Sequence, residues 1–212
     1  MNIGLYVLSG ILGYLIGNLQ SAVIISRLKY KDDVRNHGSG NAGSTNMLRV
    51  FGLKSGAVTF AGDLLKGILA VLIGRWTAGE IGGYIAAFFV VLGHCFPVFL
   101  QFRGGKGVAS TLGIAWMLNP LFGAIVTVWA ALMIAVTRTI SIVSLTGISL
   151  YFILALVFAW GNTAFIVTVA LLWLLVLLRH ADNIKRLLKG EESKVLQKKL
   201  EKKEKNETNP IV

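Results

Sequence analysis

Over 150 of the 212 residues this chain carries only seven Lys, Arg, Asp or Glu side chains; eight more fall within residues 27–54 and sixteen within 179–212. A water-facing surface cannot be built from so few charges, so those 150 residues face lipid or one another. Composition agrees, with 55% hydrophobic and 15% charged residues where a globular chain has about 25% charged. This excludes a soluble enzyme, a disordered chain, a coiled coil and an ordinary nucleic-acid module. The net charge of +11 comes from basic residues flanking apolar runs, the pattern of a membrane protein's cytoplasmic side, and no nucleic-acid partner is expected. The single Cys95 excludes an intrachain disulfide and a cysteine-rich metal site.

Seven apolar stretches are predicted as helices, at residues 3–26, 55–74, 81–101, 108–118, 121–136, 140–159 and 163–178. The fourth is short: eleven helical residues reach only about 17 Å of a hydrocarbon core near 30 Å. Charge placement argues for counting it. Nineteen of the 21 Lys and Arg lie in residues 27–54, in the 102–107 loop, at Arg138 or in the C-terminal region. The turns near 75–80, at Asn119-Pro120 and at Trp160-Gly161-Asn162 are almost bare. Seven spans put the basic segments on one side, with the N-terminus outside and the C-terminus in the cytoplasm; six would violate the positive-inside rule. The expected architecture is an all-α integral membrane protein in which residues 1–190 form the transmembrane domain and 191–212 a charged cytoplasmic tail. The tail's stretch from Glu191 to Lys205, mixing Glu and Lys, is expected to extend the last helix into water. Met1-Asn2-Ile3-Gly4 lacks a signal peptide's positive region, so the first run reads as a retained span.

Three basic segments carry chemistry. The first, His37 to Arg49, contains G-x-G-x-x-G at Gly38, Gly40 and Gly43 with Asp63 twenty positions on, but no strand precedes it and Asp63 lies in an apolar run, so a Rossmann reading fails. What remains is an anion cradle: glycines let backbone N–H groups converge, and Ser39, Asn41, Ser44, Thr45 and Asn46 add short donors. A helix starting near Thr45 sets Asn46 and Arg49 on one face toward the cradle. Composition alone leaves equally open a flexible polar loop with a membrane-surface arginine.

In the second segment, Gly93 to Thr111, Gly104-Gly105-Lys106-Gly107 opens an apolar helix. Free N–H groups, the positive helix end and one ammonium meet there, which suits phosphate; the spacing is not that of a Walker loop. His94 reads equally as a packing histidine. The third segment leaves the last span as a helix with Arg179, Asn183 and Arg186 at i, i+4, i+7 and His180 nearby. Such helices are most often interfacial anchors, which leaves the His180–Asn183 pair unexplained. A fourth loop adds Arg138, Ser141 and Ser144. Phosphate cradles over an apolar body imply phosphorylated substrates, one of them with a fatty chain.

Ser39-Gly40-Asn41-Ala42-Gly43-Ser44-Thr45-Asn46-Met47-Leu48-Arg49, then Gly93-His94 to Ser110, then Arg179-His180 to Glu191 together resemble the PlsY family of bacterial acyl-phosphate:glycerol-3-phosphate acyltransferases. The resemblance extends to Asp33-Val34-Arg35, Asp63-Leu64-Leu65-Lys66-Gly67 and Thr137-Arg138-Thr139-Ile140-Ser141. Ser44 stands where the family usually has Ala, and Arg103 where it usually has Lys. The resemblance implies a seven-span fold in the bacterial inner membrane, an acyl phosphate donor, glycerol 3-phosphate as acceptor, lysophosphatidate and inorganic phosphate as products, and neither metal nor cofactor.

An acyl phosphate is a mixed anhydride, so direct attack by the acceptor hydroxyl needs no covalent enzyme intermediate. The three histidines at 37, 94 and 180 have Ala42, Phe99 and Lys185 five positions on, so the H-x4-D motif of acyl-CoA-dependent acyltransferases is absent. Catalytic roles fall to Ser39, Lys106 and His180. Substrate binding falls to Gly40, Asn41, Thr45, Asn46, Arg49, Gly104, Gly105, Gly107, Ser141 and Asn183. Lys106 holds phosphate and stabilises its developing charge, while Arg49, His180 and Asn183 clamp glycerol 3-phosphate; the general base is either His180 or the acceptor's own phosphate. The alternative is a membrane carrier for phosphorylated metabolites, which expects charged groups near the midplane; there Asp63 and Lys66 are the one such pair and read as a structural ion pair.

Overall fold

The computed structural model describes residues 2–194, and among them the regular structure is entirely helical. The order is α1 (Ile3–Asn18), α2 (Ser21–Tyr30), α3 (Ser44–Phe51), α4 (Leu53–Cys95), α5 (Val108–Leu118), α6 (Pro120–Thr137), α7 (Ile140–Phe158), α8 (Thr163–Arg179) and α9 (Ala181–Leu188), with single 3₁₀ turns at Val34–Asn36 and Val98–Leu100.

Helix α4 is a hairpin. Its 43 residues would run about 64 Å if straight, twice a bilayer core. Ala78 and Gly79 leave helical geometry, Gly79 with φ 65°, and the chain folds back so closely that a Cβ on Gly74 would lie 2.3 Å from the Gly82 carbonyl oxygen. The turn coincides with the bare 75–80 segment. Close approach recurs where α1 crosses the second arm: Cβ atoms on Gly13 and Gly17 would meet the carbonyl oxygens of Ala86 at 2.7 Å and Val90 at 2.3 Å. Small residues spaced along one face let apolar helices touch backbone to backbone, the packing that holds helices together where no hydrophobic drive exists between them.

The first apolar run is not one continuous helix. Leu19 and Gln20 are extended, and the carbonyls freed by the break are filled by side chains: Gln20 Nε2 donates to Gly17 O at 3.1 Å and Lys66 Nζ to Leu19 O at 2.8 Å. The break falls among the polar residues Asn18, Gln20 and Ser21 of an otherwise apolar run, a pattern that a continuous helix with a buried polar face would also give.

Among the described residues, four segments are long and apolar enough to cross a membrane: Ile3–Tyr30, Leu53–Leu100, Pro120–Thr137 and Ile140–Phe158. A fifth is reached if α8 and α9, bent by 60° at His180, count together. Helix α5 is the short one expected. Asn119 caps α6 by accepting from Phe122 N, with Pro120 at the first helical position, where its missing N–H costs nothing. One correction concerns the C-terminal region: the expected extension of the last helix does not hold for its described part. Helix α9 ends at Leu188, Gly190 turns the chain with φ 72°, and Glu191–Lys194 are not helical; residues 195–212 lie outside the described part.

The bare turns gather at one end of the bundle, where Arg75 donates to Met117 O at 3.1 Å and Asn162 to the Tyr84 hydroxyl at 2.8 Å. The basic loops gather at the other.

Candidate active site

The first loop is built by its own side chains. Asp33 accepts from Arg35 Nε at 3.0 Å and Nη2 at 2.8 Å and from Arg27 Nη2 at 2.8 Å, and the Arg35 guanidinium holds its carboxyl well below the ordinary carboxylate range. Arg35 then reaches the second loop, donating to Leu100 O at 3.1 Å. Gly38 and Gly40 have φ of 62° and 71°, values a Cβ resists. Asn46 is fully buried. Its amide donates to Val34 O and His37 O, and its Oδ1 accepts from Ser39 N, all at 3.0 Å. Asn46 therefore holds the loop with the atoms expected to hold substrate. The Ser39 hydroxyl and the side chains of Asn41 and Thr45 make no hydrogen bond among the described residues.

The second loop lies between the first loop and the end of α4. A Cβ on Gly105 would fall 2.1 Å from His94 Nε2 and 3.0 Å from Ala42 O, and one on Gly104 would fall 2.1 Å from His94 O, so no larger residue fits at either position without rearrangement. Gly105 N donates to His94 O at 3.0 Å and is thus spent. The donors left for an anion are the N–H groups of Lys106 and Gly107 and of the first turn of α5, unsatisfied as at any helix start.

Lys106 Nζ donates to the side-chain oxygen of Asn183, whose Nδ2 donates to Ser141 Oγ at 2.7 Å and to Glu192 Oε1 at 2.7 Å. Arg186 Nε donates to Glu192 Oε2 at 2.7 Å, and Arg49 Nη2 to Ser193 Oγ at 3.0 Å. Arg179 donates to Gly105 O at 3.2 Å and sits over the Phe96 ring. Thus Lys106, Ser141 and Asn183 meet in one network, and Arg49 joins its rim through the segment that carries Glu192. Sequence reasoning missed Glu192, since nothing in a charged tail marks which acid folds back, and it gave Arg35, Arg179 and Arg186 no task in assembling the loops.

Electrostatics follow from burial. Burial pushes the Lys106 ammonium down to about 8, opposed by Glu192 and reinforced by Arg186, Arg179 and Arg49. Burial would raise the Glu192 carboxyl, but hydrogen bonds from Ser141, Asn183 and Arg186 outweigh it and hold it below its ordinary value. Burial pushes His180, at the break between α8 and α9, down to about 4, against the hydrogen bond to Val176. Since a carbonyl only accepts, the 2.8 Å contact of His180 Nδ1 with Val176 O puts the ring proton on Nδ1 and leaves Nε2 as an acceptor. Beside the loops opens an apolar cleft of about 160 Å³ lined by Leu48, Leu53, Gly56, Ala57, Phe60 and Ile140, with Ser44 and Thr45 at its polar edge.

An all-helical bundle of membrane-length spans with a buried polar site between its basic loops defines a multi-pass membrane protein. Comparison narrows the class. The family model described as glycerol-3-phosphate acyltransferase matches residues 7–190. The glycerol-3-phosphate acyltransferase of Thermoanaerobacter pseudethanolicus is 46% identical over 192 residues, 91% of this chain and 96% of its own; that of Bacillus subtilis is 40% identical over 186 residues, 87% and 95%. The crystal structure of PlsY (YgiH), an integral membrane glycerol 3-phosphate acyltransferase, in its glycerol 3-phosphate form, superposes with a TM-score of 0.84 at 33% identity, covering 90% of this chain and 95% of that one. Its lysophosphatidic acid form gives 0.80 at 32%. The chain belongs to the glycerol-3-phosphate acyltransferase family, that of PlsY.

Proposed function

We propose that this protein transfers a fatty acyl group from acyl phosphate to the 1-hydroxyl of sn-glycerol 3-phosphate, releasing lysophosphatidic acid and inorganic phosphate at the cytoplasmic face of the bacterial inner membrane. The observation that carries the donor choice is the half-buried Lys106 ammonium at the rim of a glycine loop whose remaining N–H groups are free for phosphate, in a chain with no H-x4-D pair. A donor bearing its own phosphate leaving group needs that site and not that base.

The hydroxyl oxygen of glycerol 3-phosphate attacks the acyl carbon, the bond from that carbon to the phosphate oxygen breaks, and phosphate departs with the electron pair. Lys106, Ser39 and the N–H groups of the loop and α5 hold the donor phosphate and take up its growing charge. The acyl chain lies in the apolar cleft. Arg49, Ser141, His180 and Asn183 bind the acceptor, with Gly40, Asn41 and Thr45 completing the first cradle. Asn46 acts by holding Ser39. The hydroxyl proton passes to phosphate; His180 Nε2 orients the hydroxyl by accepting its hydrogen bond, and with its affinity for protons reduced it is a weak base.

Seven crossings fit this reading: α1 with α2, the two arms of α4, then α5, α6, α7 and α8, with the N-terminus outside. The basic loops supply the orientation. Residues 1–190 form the catalytic unit and 191–212 the charged tail, of which Glu192 and Ser193 reach back to the site. A carrier is disfavoured because Asp63 and Lys66, its candidate midplane groups, pair with each other at 2.9 Å and are buried from solvent.

The test is direct. Purified protein is given labelled glycerol 3-phosphate with acyl phosphate, acyl-CoA or acyl carrier protein as donor. Lysophosphatidate from acyl phosphate alone supports the reading, and equal rates from acyl-CoA overturn it.

A further inference from the structure

Lys66 is a buried ammonium with every donor used. Its Nζ lies 2.9 Å from Asp63 Oδ1, donates to Leu19 O at 2.8 Å and meets His94 Nδ1 at 2.7 Å. An ammonium has no lone pair, so Nδ1 must accept, and the neutral ring carries its proton on Nε2. That edge of the ring lies under Gly105, where a Cβ would sit 2.1 Å from Nε2. The carbonyl of the same histidine receives Gly105 N at 3.0 Å and Gln20 Nε2 at 3.0 Å. His94 is thus the floor of the glycine loop with both its backbone and its ring. A buried ion pair on its own is no more stabilising than well-packed apolar residues of the same volume, and the donation to Leu19 O accounts for one of the ammonium's three donors. Dictating one tautomer and one orientation of a neighbouring imidazole is a task an ammonium does and an apolar side chain does not.

We infer that Asp63, Lys66 and His94 form a positioning relay for donor binding: Asp63 holds Lys66, Lys66 fixes the His94 tautomer and ring plane, and His94 sets the height of Gly104–Gly105, and with it the donors of Lys106, Gly107 and α5. None of the three touches substrate; they act through the loop. The inference rests on the reading that this loop binds the donor phosphate.

A relay differs from a structural brace in which constant it moves. The Asp63→Asn/Lys66→Gln double variant keeps a neutral hydrogen-bonded pair of similar volume and removes the ammonium. The expected result, in the full chain in detergent, is a KM for acyl phosphate raised by about tenfold, a kcat changed by less than about threefold and a KM for glycerol 3-phosphate near wild type. A lowered melting temperature with both constants unchanged overturns the relay and leaves a brace. Lys106→Ala in the same assay separates the two readings: if it leaves both kcat and KM for acyl phosphate unchanged, the loop is not the donor site and the underlying reading fails; if it lowers kcat/KM for acyl phosphate while the double variant does not, the relay alone fails. The wild-type protein supplies a measurement independent of any variant's folding. It has three histidines, and ¹⁵N spectra at neutral pH, assigned with His37→Asn and His180→Asn proteins, should give His94 as a neutral ring protonated at Nε2. A proton on Nδ1 instead would overturn the lock.

Discussion

The ammonium of Lys106 donates to the side-chain oxygen of Asn183, 77 residues further along the chain. That bond closes the site, because Lys106 stands at the start of α5 and Asn183 on α9, beyond the bend that ends the bundle. Through the Asn183 side chain, whose Nδ2 donates to Ser141 Oγ at 2.7 Å and to Glu192 Oε1 at 2.7 Å, Lys106 is tied to the start of α7 and to the segment after α9.

Lys106 and Arg49 are expected to behave as phosphate ligands. Each charge-assisted contact is worth about 1.5 to 3 kcal/mol, so alanine at either position should lower kcat/KM by roughly 10- to 150-fold, with melting temperature in detergent little changed. Folded variants with wild-type kinetics would mean that these charges meet only lipid headgroups.

A basic limb should appear in the pH profile, with its sign set by Lys106. Burial pushes its ammonium down to about 8, so kcat/KM should fall as pH rises through that value and the cation is lost. Bound phosphate favours the charged form, so the limb in kcat should lie at higher pH. Lys106→Arg, which keeps its charge throughout this range, should flatten the limb in kcat/KM whatever its effect on the maximum. A limb that stays near pH 8 in the arginine variant would assign it to another group.

What the sequence could disclose divides along physical lines. The apolar stretches and the bare turn near Gly79 follow from hydropathy and charge, which are local properties, and the α4 hairpin turns where they indicate. Glycines at 104 and 105 were legible as a loop against a helix start, but their reason was not: it is the His94 ring and carbonyl underneath. The α1–α2 break was illegible because its stabilising donors, Lys66 and Gln20, reveal their targets only in three dimensions. Asn46 reads as a substrate donor because an exposed donor and a buried brace have the same sequence signature, and Glu192 stands in a run of charges with no pattern to single it out.

Topology can be checked in a Cys95→Ala background, since Cys95 is buried. Single cysteines at Ser39, Arg103 and Lys189 should react with an impermeant maleimide only from the cytoplasmic side, and cysteines at Trp76 and Trp160, which are 90% and 84% exposed, only from outside. Any of the first three labelling solely from outside would contradict the seven-crossing orientation.

His180 separates two roles, that of an acceptor that orients the hydroxyl and that of a base that removes its proton. With Nδ1 donating to Val176 O at 2.8 Å, Nε2 is free to accept, which serves either role. Burial decides between them, because a ring pushed down to about 4 binds a proton poorly at neutral pH, whereas the substrate phosphate, with its second pKa near 6, is the stronger base. The folded value lies below the ordinary histidine value, so the neutral ring's contribution to stability is complete above about 6.5 and is lost as pH falls toward 4. Gln at 180 can still accept a hydrogen bond but takes no proton. His180→Gln should therefore raise KM for glycerol 3-phosphate more than it lowers kcat, and the acidic limb of the rate profile should persist near pH 6, while its extra loss of stability between pH 6.5 and 4 should disappear. If His180 were the base, the Gln variant would lose about 100-fold or more in kcat, KM would stand unchanged and the acidic limb would vanish.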